Sequence, residues 1–251
     1  MDKNTFSQIL AKINVEINDN QFEQFNKYYE ILVEWNSFMN LTGITDYDEV
    51  QIKHFVDSLA IKKALVDISS KNKEQADSIS KKPLSIIDVG TGAGFPGLPL
   101  KIAFPGTEVM LLDSLNKRVK FLNEVITQLG LEGIAAVHAR AEDAAKNADF
   151  REMYDVGVSR AVANLATLSE YVMPFVKLGG YFVAYKSGDI DTEVAEAKKA
   201  IQILGGEVKE VYKFTIPDTD IERSFVFIKK IKNTPKKYPR KAGVAVKEPI
   251  K

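Results

Sequence analysis

Asp88 and Asp113 each lie at or near the end of a short apolar run, and glycines stand at 90, 92, 94 and 97 between them. The first run reads Ser85-Ile-Ile-Asp-Val-Gly-Thr-Gly-Ala-Gly-Phe-Pro-Gly97, the second Glu108-Val-Met-Leu-Leu-Asp113. Glycine permits a tight strand-to-helix turn and lets a ligand approach the backbone. Asp113 follows Gly90 by 23 residues, where the next parallel strand can offer a carboxylate to a ribose. Asp113 equally suits the N-cap of a helix beginning near Ser114. The pattern points to a nucleoside-containing cofactor on a doubly wound sheet, or to a glycine-rich turn that holds no cofactor.

Two cofactor classes compete for the turn. Gly92-x-Gly94-x-x-Gly97 formally fits a dinucleotide fingerprint, which would make the protein an NAD-dependent oxidoreductase. Its register is poor, because Gly90 and Thr91 intervene between the strand and the supposed first glycine. Pro96 also lacks an N–H and restricts Phe95. An anion at Asp88 repels a pyrophosphate but suits a ligand with an ammonium and a sulfonium. S-adenosylmethionine is such a ligand, and Asp88, Gly90, Gly92, Gly94, Phe95 and Asp113 are its first candidate contacts.

The composition narrows the chemistry. At 251 residues, 45% hydrophobic and 27% charged, the chain suits one main globular domain with an appendage. It has no cysteine, which excludes disulfides and thiol catalysis, and its only histidines are His54 and His138, so no metal site is expected. No basic apolar leader and no membrane-length apolar run is found, so a cytoplasmic protein without membrane contact, acting as a monomer, is expected. Net charge is zero but uneven: residues 1–60 carry four basic and ten acidic side chains, residues 229–251 nine basic and one acidic. That basic end is either a contact surface for a polyanion or a solubilising tail.

The elements that must position these residues follow from periodicity. Residues 1–66 read as a helical region packed on the catalytic domain, with Phe22, Phe25, Tyr28, Tyr29, Leu32, Trp35 and Met39 on one broad face. Residues 67–83 read as a polar linker, rich in lysine and serine and closed by Pro83. Over 84–230, strands are predicted at 85–89, 108–112, 134–138, 154–158, 180–185, 207–215 and 222–229. Helices fall near 97–104, 115–129, 141–147, 162–173 and 190–204. Five parallel strands followed by a hairpin through Pro217-Asp218 give an α/β fold: the Rossmann-like, seven-stranded sheet of class I S-adenosylmethionine-dependent methyltransferases, with an N-terminal helical extension. Residues 231–251 form a basic C-terminal tail.

Several ordered motifs together resemble one family. They are Trp35-Asn-x-x-Met-Asn-Leu-Thr42, His54-Phe-Val-Asp-Ser-Leu59, Asp88-Val-Gly-Thr-Gly-Ala-Gly-Phe-Pro-Gly-Leu-Pro99, Leu112-Asp-Ser-Leu-x-Lys-Arg118, Ser159-Arg-Ala161 and Thr234-Pro-x-x-Tyr-Pro-Arg-Lys-Ala-Gly243. Over nearly its whole length the chain resembles the bacterial glucose-inhibited division protein B group, the small-subunit rRNA guanine-N7 methyltransferases. The resemblance implies a target guanine at position 527, in the usual numbering, of 16S rRNA in the small ribosomal subunit or an assembly intermediate. It implies donor contacts at Gly90, Phe95, Ala141, Glu142 and Arg160, which the topology supports, since ligands bind outside the carboxyl ends of parallel strands.

Other roles stay open at this level. Glu142 is also a helix-start acid favoured by the dipole. Arg160 either braces the loop, pairs with the donor carboxylate or holds an RNA phosphate; with Lys186 it is a candidate catalytic residue that positions and stabilises electrostatically. Lys117 and Arg118 either grip RNA or are solvated surface. Tyr238, among Lys236, Lys237, Arg240 and Lys241, either stacks on a base or pins the tail to the enzyme. His54 and Asp57, three apart on a helix, suggest a hydrolytic dyad, but no serine elbow or cysteine completes it, so a structural histidine is expected. An RNA-binding assembly module that keeps a methyltransferase-like shell is the nonenzymatic alternative.

Overall fold

The computed structural model describes residues 1–71, 83–160 and 163–250. The expected linker over 67–83 therefore lies mostly outside the described residues, and its first part, through Lys71, continues a helix.

A seven-stranded sheet organises the molecule. Its strands are β1 (Ser85–Val89), β2 (Glu108–Asp113), β3 (Ile134–His138), β4 (Tyr154–Arg160), β5 (Val176–Ser187), β6 (Gly206–Thr215) and β7 (Glu222–Lys230), in the order β3-β2-β1-β4-β5-β7-β6. The first five are mutually parallel, and β7 pairs antiparallel with both β5 and β6. The chain reverses beside β1: β2 and β3 lie on one side of it and β4 on the other. A crevice opens at such a switch point, at the carboxyl ends of the strands. Asp88, Asp113, His138 and Arg160 all stand at or next to those ends.

Helices α1 (Lys3–Ala11), α2 (Asp19–Met39), α3 (Tyr47–Val50), α4 (Asp57–Leu59) and α5 (Ile61–Lys71) precede the sheet. Between α3 and α4, Gln51–Val56 winds as a π-helix. The α2 start is fixed by a capping box in which Asn18 and Gln21 satisfy each other's backbone N–H groups. Phe6, Phe25, Tyr28 and Phe55 are fully buried and share one apolar core with Ile86, Leu111 and Val158 of the sheet. Burying such rings stabilises by about 2–3 kcal/mol each, so the helical region is held to the sheet rather than tethered.

The remaining helices are α6 (Gly97–Ala103), α7 (Asn116–Leu129), α8 (Ala141–Ala144), α9 (Leu165–Val172), α10 (Asp191–Ile203) and α11 (Val244–Lys247). A second core joins Ile87, Phe182 and Val226 to α9, α10 and Tyr238. The C-terminal segment thus folds back onto the domain. Buried Lys230 donates to the Met173 carbonyl and to Thr234 Oγ1 at 2.6 and 2.5 Å, and Arg151 donates to the carbonyls of Thr234 and Tyr238 at 2.8 and 3.0 Å.

Candidate active site

The glycine loop between β1 and α6 is tied to its own framework. Gly90 donates to the Leu112 carbonyl at 2.8 Å, Gly92 to Asp113 Oδ2 at 3.0 Å and Gly94 to the Thr91 carbonyl at 2.9 Å. Gly97 donates to Asp88 Oδ2 at 2.8 Å, and the Thr91 hydroxyl reaches the same oxygen at 2.7 Å. A pyrophosphate needs free, converging N–H groups. Here they are spent inside the protein, which argues against the dinucleotide reading.

Asp88 is fully buried, and its Oδ1 finds no partner among the described residues. Desolvation pushes its carboxyl up to about 6, against the lowering effects of Thr91, Gly97 and Arg160. An orphaned buried carboxylate oxygen calls for a donor or a cation. Next to it in the loop, a Cβ built on Gly92 meets nothing within 4 Å, so this side of the turn is open. The opening and the orphan suit the cationic amino-acid end of S-adenosylmethionine. Asp113 Oδ1 accepts from Leu115 N–H at 2.9 Å, while Arg118 stands 3.4 Å from Oδ2. The helix that follows begins at Asn116 with Leu115 as its N-cap and no side-chain cap bond, so Asp113 is not the N-cap; it holds the loop and the Leu115 N–H and retains lone pairs for a ribose.

Arg160 ends β4 and reaches across to the helical region. It donates to Asp57 Oδ2 at 2.9 Å and to the Lys53 carbonyl at 3.3 Å, and its guanidinium lies 4.9 Å from the Phe95 ring centroid. Arg223 of β7 donates to the other Asp57 oxygen at 3.0 Å. His54 stacks on Phe95 with ring centroids 4.4 Å apart, and its Nε2 lies 2.8 Å from Thr42 Oγ1. Burial first, and then the Arg160 charge, push His54 down to about 3, so the ring is neutral. This supports the structural reading of His54 over a hydrolytic dyad. Arg160 thus links Phe95 of the loop to Lys53 and Asp57 of the helical region.

Beyond Arg160 lies a cleft of about 440 Å3 between the helical region and the ends of β5 and β7, lined among others by His54, Asp57, Arg160, Lys186, Glu193 and Arg223. Lys186 donates to the Ala163 carbonyl and to Glu193 Oε1, both at 2.7 Å. Sequence reasoning missed Asp57, Glu193 and Arg223 as members of this site. His54 and Asp57 carried a signal in their three-residue spacing; Arg223 carried none, because only the antiparallel hairpin brings it there.

Glu142, at the start of α8, is buried and accepts from Gly243 N–H at 3.2 Å, and Ala141 beside it is partly buried. Ala141 and Glu142 follow β3, whose end is paired with Asp113. Of the predicted RNA contacts, Lys117, Lys236, Lys237 and Lys241 are exposed. Arg118 is half-buried beside Asp113. Tyr238 and Arg240 differ from the expectation of an RNA-facing tail. Tyr238 is buried, and Arg240 makes a forked contact with buried Glu170 at 2.6 to 3.1 Å, so both pin the segment down. Among the described residues no acidic or histidine cluster suits a metal ion, and no helix is long and apolar enough to cross a membrane.

Comparison with known proteins places the chain in a family. A family model described as rRNA small subunit methyltransferase G matches residues 21–224. The Ribosomal RNA small subunit methyltransferase G of Lachnoclostridium phytofermentans is 51% identical over 249 residues, covering 99% of this chain and 98% of that protein. Its namesake from Alkaliphilus oremlandii is 52% identical over 239 residues, 95% of each. Among solved structures, "MtNAS in complex with MTA and tNA" superposes with a TM-score of 0.51 at 11% identity, over 85% of this chain and 70% of that one, a likeness of fold alone.

Proposed function

This chain belongs to the rRNA small subunit methyltransferase G family, and on that premise we propose that it methylates N7 of a guanine in 16S rRNA, at position 527 of the usual numbering, using S-adenosylmethionine. The observation that carries the reading is the buried, unpartnered Asp88 Oδ1 in the loop whose Gly92 faces open space, with a cleft large enough for a base on the far side of Arg160. Bound there, S-adenosylmethionine supplies an electrophilic methyl group on a sulfonium.

The chain's own residues do the rest. Asp88 and the carbonyls of the Gly90–Gly94 loop receive the donor's charged end, Asp113 its ribose, and Ala141 and Glu142 its base. Guanine N7 is an unprotonated in-plane lone pair, so no residue has to remove a proton before attack. Positive charge appears on the purine as it is methylated. Catalysis therefore rests on alignment and on the fixed charges of the cleft. Arg160 acts by holding Phe95 and the loop in place, and Lys186 by anchoring the cleft wall. Exposed Lys117, Lys236, Lys237 and Lys241 would grip rRNA phosphates of the subunit or its assembly intermediate. The enzyme would work in the cytoplasm as a single chain.

The test is direct. Purified protein is incubated with labelled donor and small subunits lacking the modification, and the methylated nucleotide is mapped. Label at N7 of that guanine is the expected result. Label only on another base, or on protein, would overturn the assignment.

A further inference from the structure

We propose that Glu193 selects guanine, its Oε2 accepting the N1–H and N2–H donors of the target base while Lys186 reaches O6. This rests on the guanine-N7 reading above and goes beyond it by naming how the base is chosen.

Three carboxylates line the cleft. Asp57 has both oxygens committed to Arg160 and Arg223. Asp189 is exposed, and its Oδ1 already holds Lys213 and the Asp191 N–H. Glu193 shares with Asp189 an oxygen that these bonds leave unused, but it is far less exposed than Asp189, whose side chain is 77% exposed. Lys186 Nζ and the Leu165 N–H both fall on Glu193 Oε1, and neither bond uses Oε2. Its side chain keeps 30% of its exposure while held at two points. Lys186 is 11% exposed and spends two bonds, on Ala163 and Glu193, so one ammonium proton is left.

Fixed acceptor and donor in this order match one base. Guanine presents two adjacent donors, N1–H and N2–H, beside the O6 acceptor. Adenine and cytosine each place an acceptor next to their amino group, and uracil has a single donor between two acceptors. N7 lies on the neighbouring edge, beside O6, and none of these bonds uses its lone pair, so gripping N1–H, N2–H and O6 leaves N7 free to react. When the N7–CH3 bond forms and the CH3–S bond breaks, its electron pair returns to sulfur and positive charge moves onto the purine. N1–H then becomes a stronger donor, and its bond to a carboxylate tightens in the transition state.

The experiment uses the full chain and small subunits reconstituted with either guanosine or inosine at the target. Inosine keeps N7, O6 and N1–H but lacks the 2-amino group. Single-turnover methyl transfer by the wild type should be about tenfold to a hundredfold slower on inosine, the scale of a hydrogen bond to a charged group. In Glu193→Gln that ratio should collapse to within about threefold, with the guanosine rate reduced and donor affinity within about twofold of wild type. Donor affinity and the melting temperature show that the variant is folded. A preserved guanosine-to-inosine ratio in folded Glu193→Gln would overturn the role of Glu193 alone. Absence of methyl transfer to the guanosine subunit by the wild type would overturn the function reading and this inference with it.

Discussion

Burial raises the Asp88 carboxyl to about 6, and its two hydrogen bonds both fall on Oδ2. A cation against Oδ1 favours the ionised form, so donor binding should release a proton wherever the free carboxyl is protonated. Affinity is therefore expected to rise from pH 5 to pH 7 and then level off. Calorimetry in two buffers of different ionisation enthalpy measures both the affinity and the proton release. Asp88→Asn should bind about tenfold to a hundredfold more weakly and lose the pH dependence. Flat wild-type affinity over this range would mean that no cation sits against Asp88. The same residue acts on stability with a sign opposite to that of His54. His54 is depressed to about 3, so from there up to its ordinary range the unfolded chain binds the extra proton and stability rises with pH. Asp88 is raised, so between its ordinary range and about 6 the folded chain binds the extra proton and stability falls with pH. The two slopes oppose each other from about pH 4 to 6. Asp88→Asn removes one of them, and its unfolding free energy should climb more steeply with pH than that of the wild type, by up to about 1.4 kcal/mol per pH unit. Urea unfolding at several pH values decides it; parallel curves would contradict the raised, buried Asp88.

At the scale of elements, two glycines of one loop make opposite demands. A Cβ on Gly94 would lie 2.3 Å from Leu98 Cδ1 and 2.7 Å from the Tyr28 hydroxyl, at φ +94°. Gly94→Ala should cost about 1–3 kcal/mol in stability through overpacking and left-handed strain. Gly92 also has positive φ, but its Cβ would meet open space. Gly92→Ala should cost only about 1 kcal/mol while weakening donor binding, because the methyl projects into the space the donor needs. Thermal melts with donor titrations separate the two; unchanged donor affinity in Gly92→Ala would move the pocket elsewhere. The strands and the glycine loop were legible because alternation, glycine breaks and chain spacing are local signals: β1 at Ser85–Val89 falls where the sequence puts it. The fate of the C-terminal segment was not. Charge counting records Arg240 as one more cation, whereas its partner Glu170 sits on α9, buried and 70 residues away. In the same way Asp57 needs Arg223, 166 residues distant, to complete its ion pairs. Hydrophobic period and motif spacing say nothing about such pairs, which exist only once the sheet has formed.

Over the whole molecule, the uneven charge of the chain is divided between internal and external use. The first 60 residues are acidic and the last 23 basic, yet Lys230 and Arg240 of the basic end serve the fold. Lys232, Lys236, Lys237, Lys241 and Lys247 face outward, and the middle three are held on a segment fixed at Thr234, Tyr238, Arg240 and Gly243. Gly243 reaches Glu142, a proposed donor contact, so deleting the segment would disturb that contact together with any RNA surface, and truncation cannot distinguish the two roles. Charge removal without truncation can. Lys236→Ala, Lys237→Ala and Lys241→Ala combined remove the Lys237 ammonium from over the Tyr238 ring but leave the buried hydrogen bonds and the Arg240–Glu170 ion pair of the segment in place, so donor affinity should stay within about twofold of wild type. Every phosphate that a lysine no longer neutralises should lower the slope of log affinity against log salt by about 0.7 to 0.9. The triple variant should therefore shed about 2 to 3 from that slope, and its deficit in subunit binding should be largest at low salt. Subunit binding measured at several salt concentrations reads the slope, and calorimetry reads the donor. An unchanged slope would assign these lysines to solvation and leave rRNA contact to the cleft and its rim.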